Sequence, residues 1–192
     1  MWSHVTRTVS GRFAVLRQIR SIRRSVSVSV FTSLVVSLVM PRLHYGNATL
    51  AGLPEHQHRQ LQSVVNAAAR LIYRCQHVTT LLQELHWLWS KERVDFKLAV
   101  IIFRCLHGLA PCYLSDDIRR VADTNRRLLR SASSGALSVM PTRLVTMGDR
   151  AFPVAGSRLW NSLPYEVTSA PTLPVFSSRL KTYLFQLSFP PD

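Results

Sequence analysis

The sequence is poor in acids. Ten Asp and Glu face 24 Lys and Arg, a formal net charge of +14 over 192 residues. General acid–base and two-metal chemistry both need carboxylates that converge in space, and ten scattered ones argue against such a centre. Cysteine is scarcer still. Cys75, Cys105 and Cys112 are odd in number and widely spaced. That excludes a disulfide scaffold and suits a reducing compartment, nuclear or cytoplasmic. The chain has no Gly-x-Ser-x-Gly elbow, no Gly-x-Gly-x-x-Gly turn and no Walker loop. The pairs His56-x-His58, Cys75-x-His77 and Cys105-x-His107 lack zinc spacing, and no Cys-x-x-Cys occurs. Neither a metal nor another cofactor is expected, nor a small-molecule substrate. The chain reads as a non-enzyme.

Long apolar runs are missing too. The apolar, uncharged stretch 26–40 falls short of the roughly 20 residues that span a bilayer. It lies too far from the N-terminus, without a small-residue cleavage site, to read as a signal peptide. A buried helix is expected there, stopped by Pro41. Asn47-Ala48-Thr49 fits a glycosylation sequon, which in a cationic chain without a signal peptide reads as chance.

What remains is apolar and arginine-rich. Apolar residues make up 47%, enough for a core and too many for wholesale disorder. Nearly all the positive charge is Arg; the lysines are Lys91, Lys97 and Lys181. The guanidinium fork binds phosphate in a bidentate way and stacks on bases. This composition favours a polyanionic partner, RNA or DNA.

Hydrophobic spacing predicts a mainly α protein, an irregular helical bundle with one basic extended connector. Residues 1–24 carry six arginines and no acid, and Val5, Val9, Phe13 and Leu16 define a buried face. Residues 55–74 form the clearest helix, with Leu61, Val64, Val65, Ala68, Leu71 and Ile72 inward and Gln60, Gln62, Asn66 and Arg70 off that face. Thr79 or Thr80 is the expected cap of the next helix. A long helix runs from Ser90 to Leu106, its basic flank formed by Lys91, Arg93, Lys97 and Arg104, and Gly108 ends it. A short helix is expected over Tyr113 to Val121, with Asp116 and Asp117 as solvated acids in its first turn. Residues 119–147 read as a basic connector, in which 136–147 allow short strands. A helix capped by Asp149 and stopped by Pro164 follows, with Trp160 as its packing anchor and Arg150 and Arg158 as candidate phosphate contacts. A last helix covers 173–187, its core face formed by Val175, Phe176, Leu180, Tyr183, Leu184 and Leu187. The expected organisation is a helical region 1–118, the connector 119–147 and a helical extension 148–192.

Ordered sequence blocks add a resemblance. They are Arg42-Leu43-His44-Tyr45-Gly46-Asn47, Gly52-Leu53-Pro54, Leu61 to Leu71, Glu84-Leu85-His86-Trp87-Leu88, Arg93-Val94-Asp95-Phe96-Lys97, Leu106 to Pro111 with Tyr113-Leu114, Gly148-Asp149-Arg150-Ala151-Phe152 with Leu159-Trp160-Asn161-Ser162-Leu163-Pro164, and Phe176 to Thr182. Together they resemble the C-terminal part of non-LTR (LINE-type) retrotransposon reverse transcriptases of the CR1, L2 and jockey-like kind. Gly46, His44 and Trp89 depart from the family's usual Cys, Asp and Pro. The resemblance implies a helical thumb and post-palm extension that holds template and primer. The family's catalytic aspartates belong to the palm, so it transfers no catalytic residue. Tyr113-Leu114-Ser115-Asp116-Asp117 is one residue too long for a Tyr-x-Asp-Asp box and lacks the flanking hydrophobic strands.

The candidate nucleic-acid contacts are Arg17, Arg20, Arg24, Arg70, Lys97, Arg104 and Arg127, acting on backbone phosphates. Tyr73, Trp87, Trp89 and Trp160 are candidates for stacking on bases, although packing roles suit them better. Two other readings stand beside this one: an inert or protein-interacting helical remnant of a mobile element, and a membrane-associated chain anchored by 26–40.

Overall fold

The computed structural model describes residues 2–73, 77–123, 135–143 and 148–190. It is mainly helical, as the hydrophobic spacing predicts. Nine α-helices occur among the described residues: α1 (Trp2–Ile22), α2 (Val28–His44), α3 (Glu55–Tyr73), α4 (Val78–Glu84), α5 (Ser90–Leu106), α6 (Cys112–Ser115), α7 (Phe152–Ser162), α8 (Tyr165–Thr168) and α9 (Leu173–Ser188). Short 3-10 turns cover Asn47–Leu50, Val121–Asp123 and Gly148–Arg150. None of the described helices is long and apolar enough to cross a membrane.

The chain divides into two compact units. The first holds residues 1–47, 53–93 and those after Leu187; the second holds 48–52 and 94–187. In the first, α1 packs on α2 and α3, and α3 on α4. Val5, Leu16 and Ile19 of α1 meet an interior of Phe31, Val35 and Val39 from α2 and Val64, Val65, Ala68 and Ile72 from α3. The four-residue steps along α2 place its apolar residues on one face. Its hydroxyls fold back on the helix. Thr32 donates to the Val28 carbonyl at 2.8 Å, Ser33 to Ser29 at 3.1 Å and Ser37 to Ser33 at 2.8 Å. A Ser/Val-rich segment can therefore be helical without presenting unmet hydroxyls.

Pro41 does not stop α2, which continues to His44. Proline costs the one bond its missing N–H would donate to the residue four back. So close to the C-terminus, that loss removes one ladder bond and spares the packing of Met40 and Leu43, both buried. The cap of α4 is His77, without a side-chain bond, instead of Thr79 or Thr80, which lie inside the helix. Gln62, expected off the buried face, is buried. Its Oε1 accepts from the Ser90 backbone N–H at 2.7 Å, and its Nε2 donates to Asn66 at 2.7 Å. It thereby satisfies an orphan donor in the first turn of α5.

The second unit is organised on an aromatic stack. Phe103 of α5 lies 4.4 Å, centroid to centroid, from Phe176 of α9, and Trp160 of α7 lies 5.7 Å from Phe176. The α5 helix ends as expected. Gly108 has φ +67°, and the Leu109 N–H returns to the Arg104 carbonyl at 2.8 Å, a Schellman closure. Gly156 lets α7 approach α5, because a Cβ there would lie 2.5 Å from the Ile102 Cδ1.

Three further expectations in this unit are corrected. Asp149 does not cap α7; Ala151 does, after a 3-10 turn, and Pro153 occupies the first turn. The carboxylate instead accepts from Thr142 at 2.6 Å and Arg158 at 2.9 Å. The short helix ends at Ser115, so Asp116 caps its C-terminus and, with Asp117, is exposed beyond its first turn. Of the short strands expected over 136–147, the described residues form only a single antiparallel bridge, Arg120 with Leu137; 144–147 lie outside the described residues. Leu137 is 1% exposed. The Asn161 amide accepts from its N–H at 2.8 Å and donates to its carbonyl at 2.9 Å. Trp160 Nε1 donates to the Gly135 carbonyl at 3.2 Å. The Leu-Trp-Asn motif thus holds an extended segment of the second unit, with Asn161 standing in for a neighbouring strand.

Candidate functional site

The arginines of α1 follow helical spacing. Arg17, Arg20 and Arg24 lie at steps of three and four, so they project along one side of α1 and the turn after it. On α3, Arg70 follows the buried Ala68 and Ala69 and is itself exposed. Packing of α1 on α3 brings the two sets together. An open groove of about 980 Å³ is lined by Arg17, Arg20, Arg23, Arg24 and Arg70, with Ser21, Ala67 and Leu71 between them. Among the described residues no acid lines it. Four of the seven expected contact residues therefore share one site.

Arg23 is the member that the sequence does not single out. It sits in the turn after α1 and points inward, unlike Arg17, Arg20, Arg24 and Arg70, which are exposed. Its Nη2 donates to the Ile72 carbonyl at 3.0 Å, and its guanidinium lies 4.8 Å from the centroid of the Phe31 ring. Ile72 is in the last turn of α3, where carbonyls have no partner within the helix. Arg23 therefore caps α3 from α1 and rests on α2, joining the three helices at the groove. Its only advance signal is that it interrupts the spacing that aligns Arg20 with Arg24.

The same contact brings the C-terminal ends of α1 and α3 together. Each helix C-terminus carries about half a negative charge. Two of them moderate the repulsion among five guanidinium groups and leave most of the positive charge uncompensated. Phosphate oxygens are the complement of such a surface.

The remaining expected residues lie elsewhere. Lys97 and Arg104, both exposed, are on α5 in the second unit. Seven residues apart, they share a face of that helix. Arg127 lies outside the described residues. Arg93, expected on the same basic flank, is packed inward. Its Nε donates to the Leu88 carbonyl at 2.7 Å, its guanidinium lies 5.7 Å from the Trp87 ring, and burial lowers its pKa to about 10. Arg158 is paired with Asp149, and Arg150 Nε donates to the Ala51 carbonyl at 3.4 Å. Of the aromatic candidates, Trp87 and Trp160 are buried, and Tyr73 is exposed but does not line the groove. Among the described residues no group of three His, Cys, Asp or Glu is placed to hold a metal ion.

Compared with family models, curated proteins and solved structures, the chain matches none. The groove has to be read from its own chemistry.

Proposed function

We propose that this chain binds nucleic acid through backbone phosphates, as the thumb and post-palm region of a non-LTR retrotransposon reverse transcriptase would, and performs no chemistry of its own. One observation carries the reading. Arg17, Arg20, Arg24 and Arg70, from stretches some fifty residues apart in sequence, line one groove that holds no acid among the described residues. The ordered motifs from Arg42 to Thr182 supply the evolutionary frame. Lys97, Arg104 and Arg127 remain further candidate phosphate contacts on their own.

Such binding is driven by counterion release, so log K should fall linearly with log salt, by about 0.9 per phosphate on duplex DNA and 0.7 on single strands. A titration of the full chain with RNA, DNA and RNA–DNA hybrid, repeated from low to physiological salt, tests this. Binding with a steep negative slope is expected; no binding to any of the three at low salt removes the reading. A primer-extension assay on the same chain should show no incorporation.

One observation favours a second reading. Val28, Val30, Val36 and Leu38 of α2 are 40–50% exposed, on a helix with no charged residue before Arg42. Exposed apolar side chains next to arginines can enter the interface of an anionic bilayer. Flotation with anionic liposomes that survives excess oligonucleotide would establish it.

A further inference from the structure

We infer that the arginine groove takes consecutive phosphates of a single chain, in preference to duplex, and without help from bases. The inference rests on the phosphate-binding reading and specifies the ligand's shape.

The arginines come from two packed elements, α1 with its turn and α3. Arg17, Arg20 and Arg24 come from α1 and the turn that follows, and Arg70 comes from α3. Packed helices have axes about 8–10 Å apart, so a strand lying along the groove is within reach of arginines from both. Duplex is ordinarily read the other way round, by a convex helix that enters its major groove. Against a duplex, the groove would offer mostly its outer rim. A single phosphate chain can lie along it and meet arginines from both helices.

The spacing also fits. Arg17 and Arg20 lie in α1 and Arg24 in the turn after it, three guanidinium groups spaced by about one helical turn, roughly 5.4 Å. Three consecutive phosphates of one strand can each take one guanidinium of this row, and Arg70 adds a further contact from α3. The floor is Ser21, Ala67 and Leu71. Single-strand sites that grip bases add aromatic platforms, and among the described residues none lines this groove. The recognised chemistry is therefore a run of phosphates, which a nucleic-acid strand and inorganic polyphosphate both present.

The test uses the full chain and fluorescence anisotropy. Labelled oligo-dT is compared with a duplex of equal length, and unlabelled polyphosphate of equal phosphate number is the competitor. Single strand should bind at least tenfold tighter than duplex. Its log–log salt slope should be about −2 to −3, from three to four phosphates at 0.7 each. R17Q, R20Q, R24Q and R70Q should each weaken binding about three- to tenfold and flatten the slope by about 0.7. R59Q is the control for net charge. Arg59 is on α3, exposed and paired with Glu55 at 3.5 Å, and its loss should change affinity less than twofold. Circular dichroism of each variant verifies its fold.

Polyphosphate that competes within tenfold of oligo-dT supports the base-free mode; an oligonucleotide advantage above tenfold overturns it by assigning work to the bases. Duplex binding as tight as single strand overturns the single-chain geometry and leaves the phosphate-binding reading intact. An R59Q effect as large as R20Q overturns the assignment to the groove. If neither strand nor duplex binds at low salt, the phosphate-binding reading falls as well.

Discussion

Arg23 and Arg20 are three residues apart, carry the same charge and line the same groove, yet their removal should have opposite consequences. The perturbations are Arg23→Met and Arg20→Gln. Methionine keeps a long apolar stem on Phe31 and removes the guanidinium. That loses the 3.0 Å bond to the Ile72 carbonyl and the contact 4.8 Å from the Phe31 ring centroid. A hydrogen bond with a charged partner contributes about 1.5–3 kcal/mol, and a cation–π contact about 0.5–2 kcal/mol by exposure. Against these stands Arg23 Nε, which is buried with no partner; relieving it returns about 1–3 kcal/mol. The balance is a loss of about 1–3 kcal/mol of unfolding free energy. Arg20 is exposed, and a surface change of that kind stays within about 0.5 kcal/mol. Urea unfolding followed by far-UV circular dichroism measures both. With a slope near 2 kcal/mol per molar, a 2 kcal/mol loss lowers the midpoint by about 1 M. Arg20→Gln should leave the midpoint alone and weaken oligonucleotide binding several-fold. Arg23→Lys should keep most of the binding and only part of the stability, because a point charge cannot reproduce the fork. An Arg23→Met midpoint within 0.2 M of the parent would refute Arg23 as the pin between α1, α2 and α3.

Three other outcomes follow from single contacts. His58 is buried on α3, and burial is the main reason its pKa lies below 6.5, with Lys91 pushing the same way and Glu55 opposing. The unfolded chain protonates His58 near its ordinary value and the folded chain only at lower pH, so stability is complete above pH 6.5 and declines as pH falls below it; His58→Gln should flatten that decline in a pH series of urea midpoints. The Asp149 carboxyl is held below its ordinary 3.8 by bonds from Arg158 first and Thr142 second. That tie persists above pH 3.8 and is lost as pH falls through the lowered value, and Asp149→Asn should speed amide exchange at Thr142 and Arg143 while the α7 amides stay protected. Gly156→Ala should destabilise by about 0–2 kcal/mol, since overpacking against Ile102 costs about 1–3 and the helix gains about 1. Adding Ile102→Val removes the Cδ1 that a Cβ would meet at 2.5 Å, so the double variant should be more stable than the two single effects summed; strict additivity would show that this contact does not set the α5–α7 approach.

How far the sequence disclosed the fold depended on the range of the determining interaction. The bounds of α3, α5 and α9 follow from local spacing and turn chemistry, and spacing alone put Leu61, Val64, Val65, Ala68 and Ile72 inside. Errors arose where a distant partner decided. Gln62 reads as a surface residue by its polarity; its burial depends on the Ser90 N–H, 28 residues away. Asp149 has the chemistry of a helix cap, but Arg158 and Thr142 compete for the carboxylate. Leu137 reads as part of a strand because it lies in a short apolar piece; both its backbone groups pair with the Asn161 side chain, which no alternation pattern can reveal.

The arginines show the same division on the functional side. Arg17, Arg20 and Arg24 are legible as a row because helical spacing is local, and Arg70 because it stands clear of an apolar face. That the row and Arg70 share a groove follows from the packing of α1 on α3, which depends on the cores of both. Charge alone made Arg93 look equivalent to Lys97, yet Arg93 is packed against Leu88 and Trp87 while Lys97 is exposed. Charge alone equally hid the difference between Arg23 and Arg24. A guanidinium is both a phosphate ligand and a long apolar stem with five donors, so position decides which property is used. Where a helix end leaves a carbonyl unmet, as at Ile72, the donor turns inward and becomes structure. Where no such acceptor is in reach, the same side chain stays in solvent, and a ligand's phosphate would be its strongest partner.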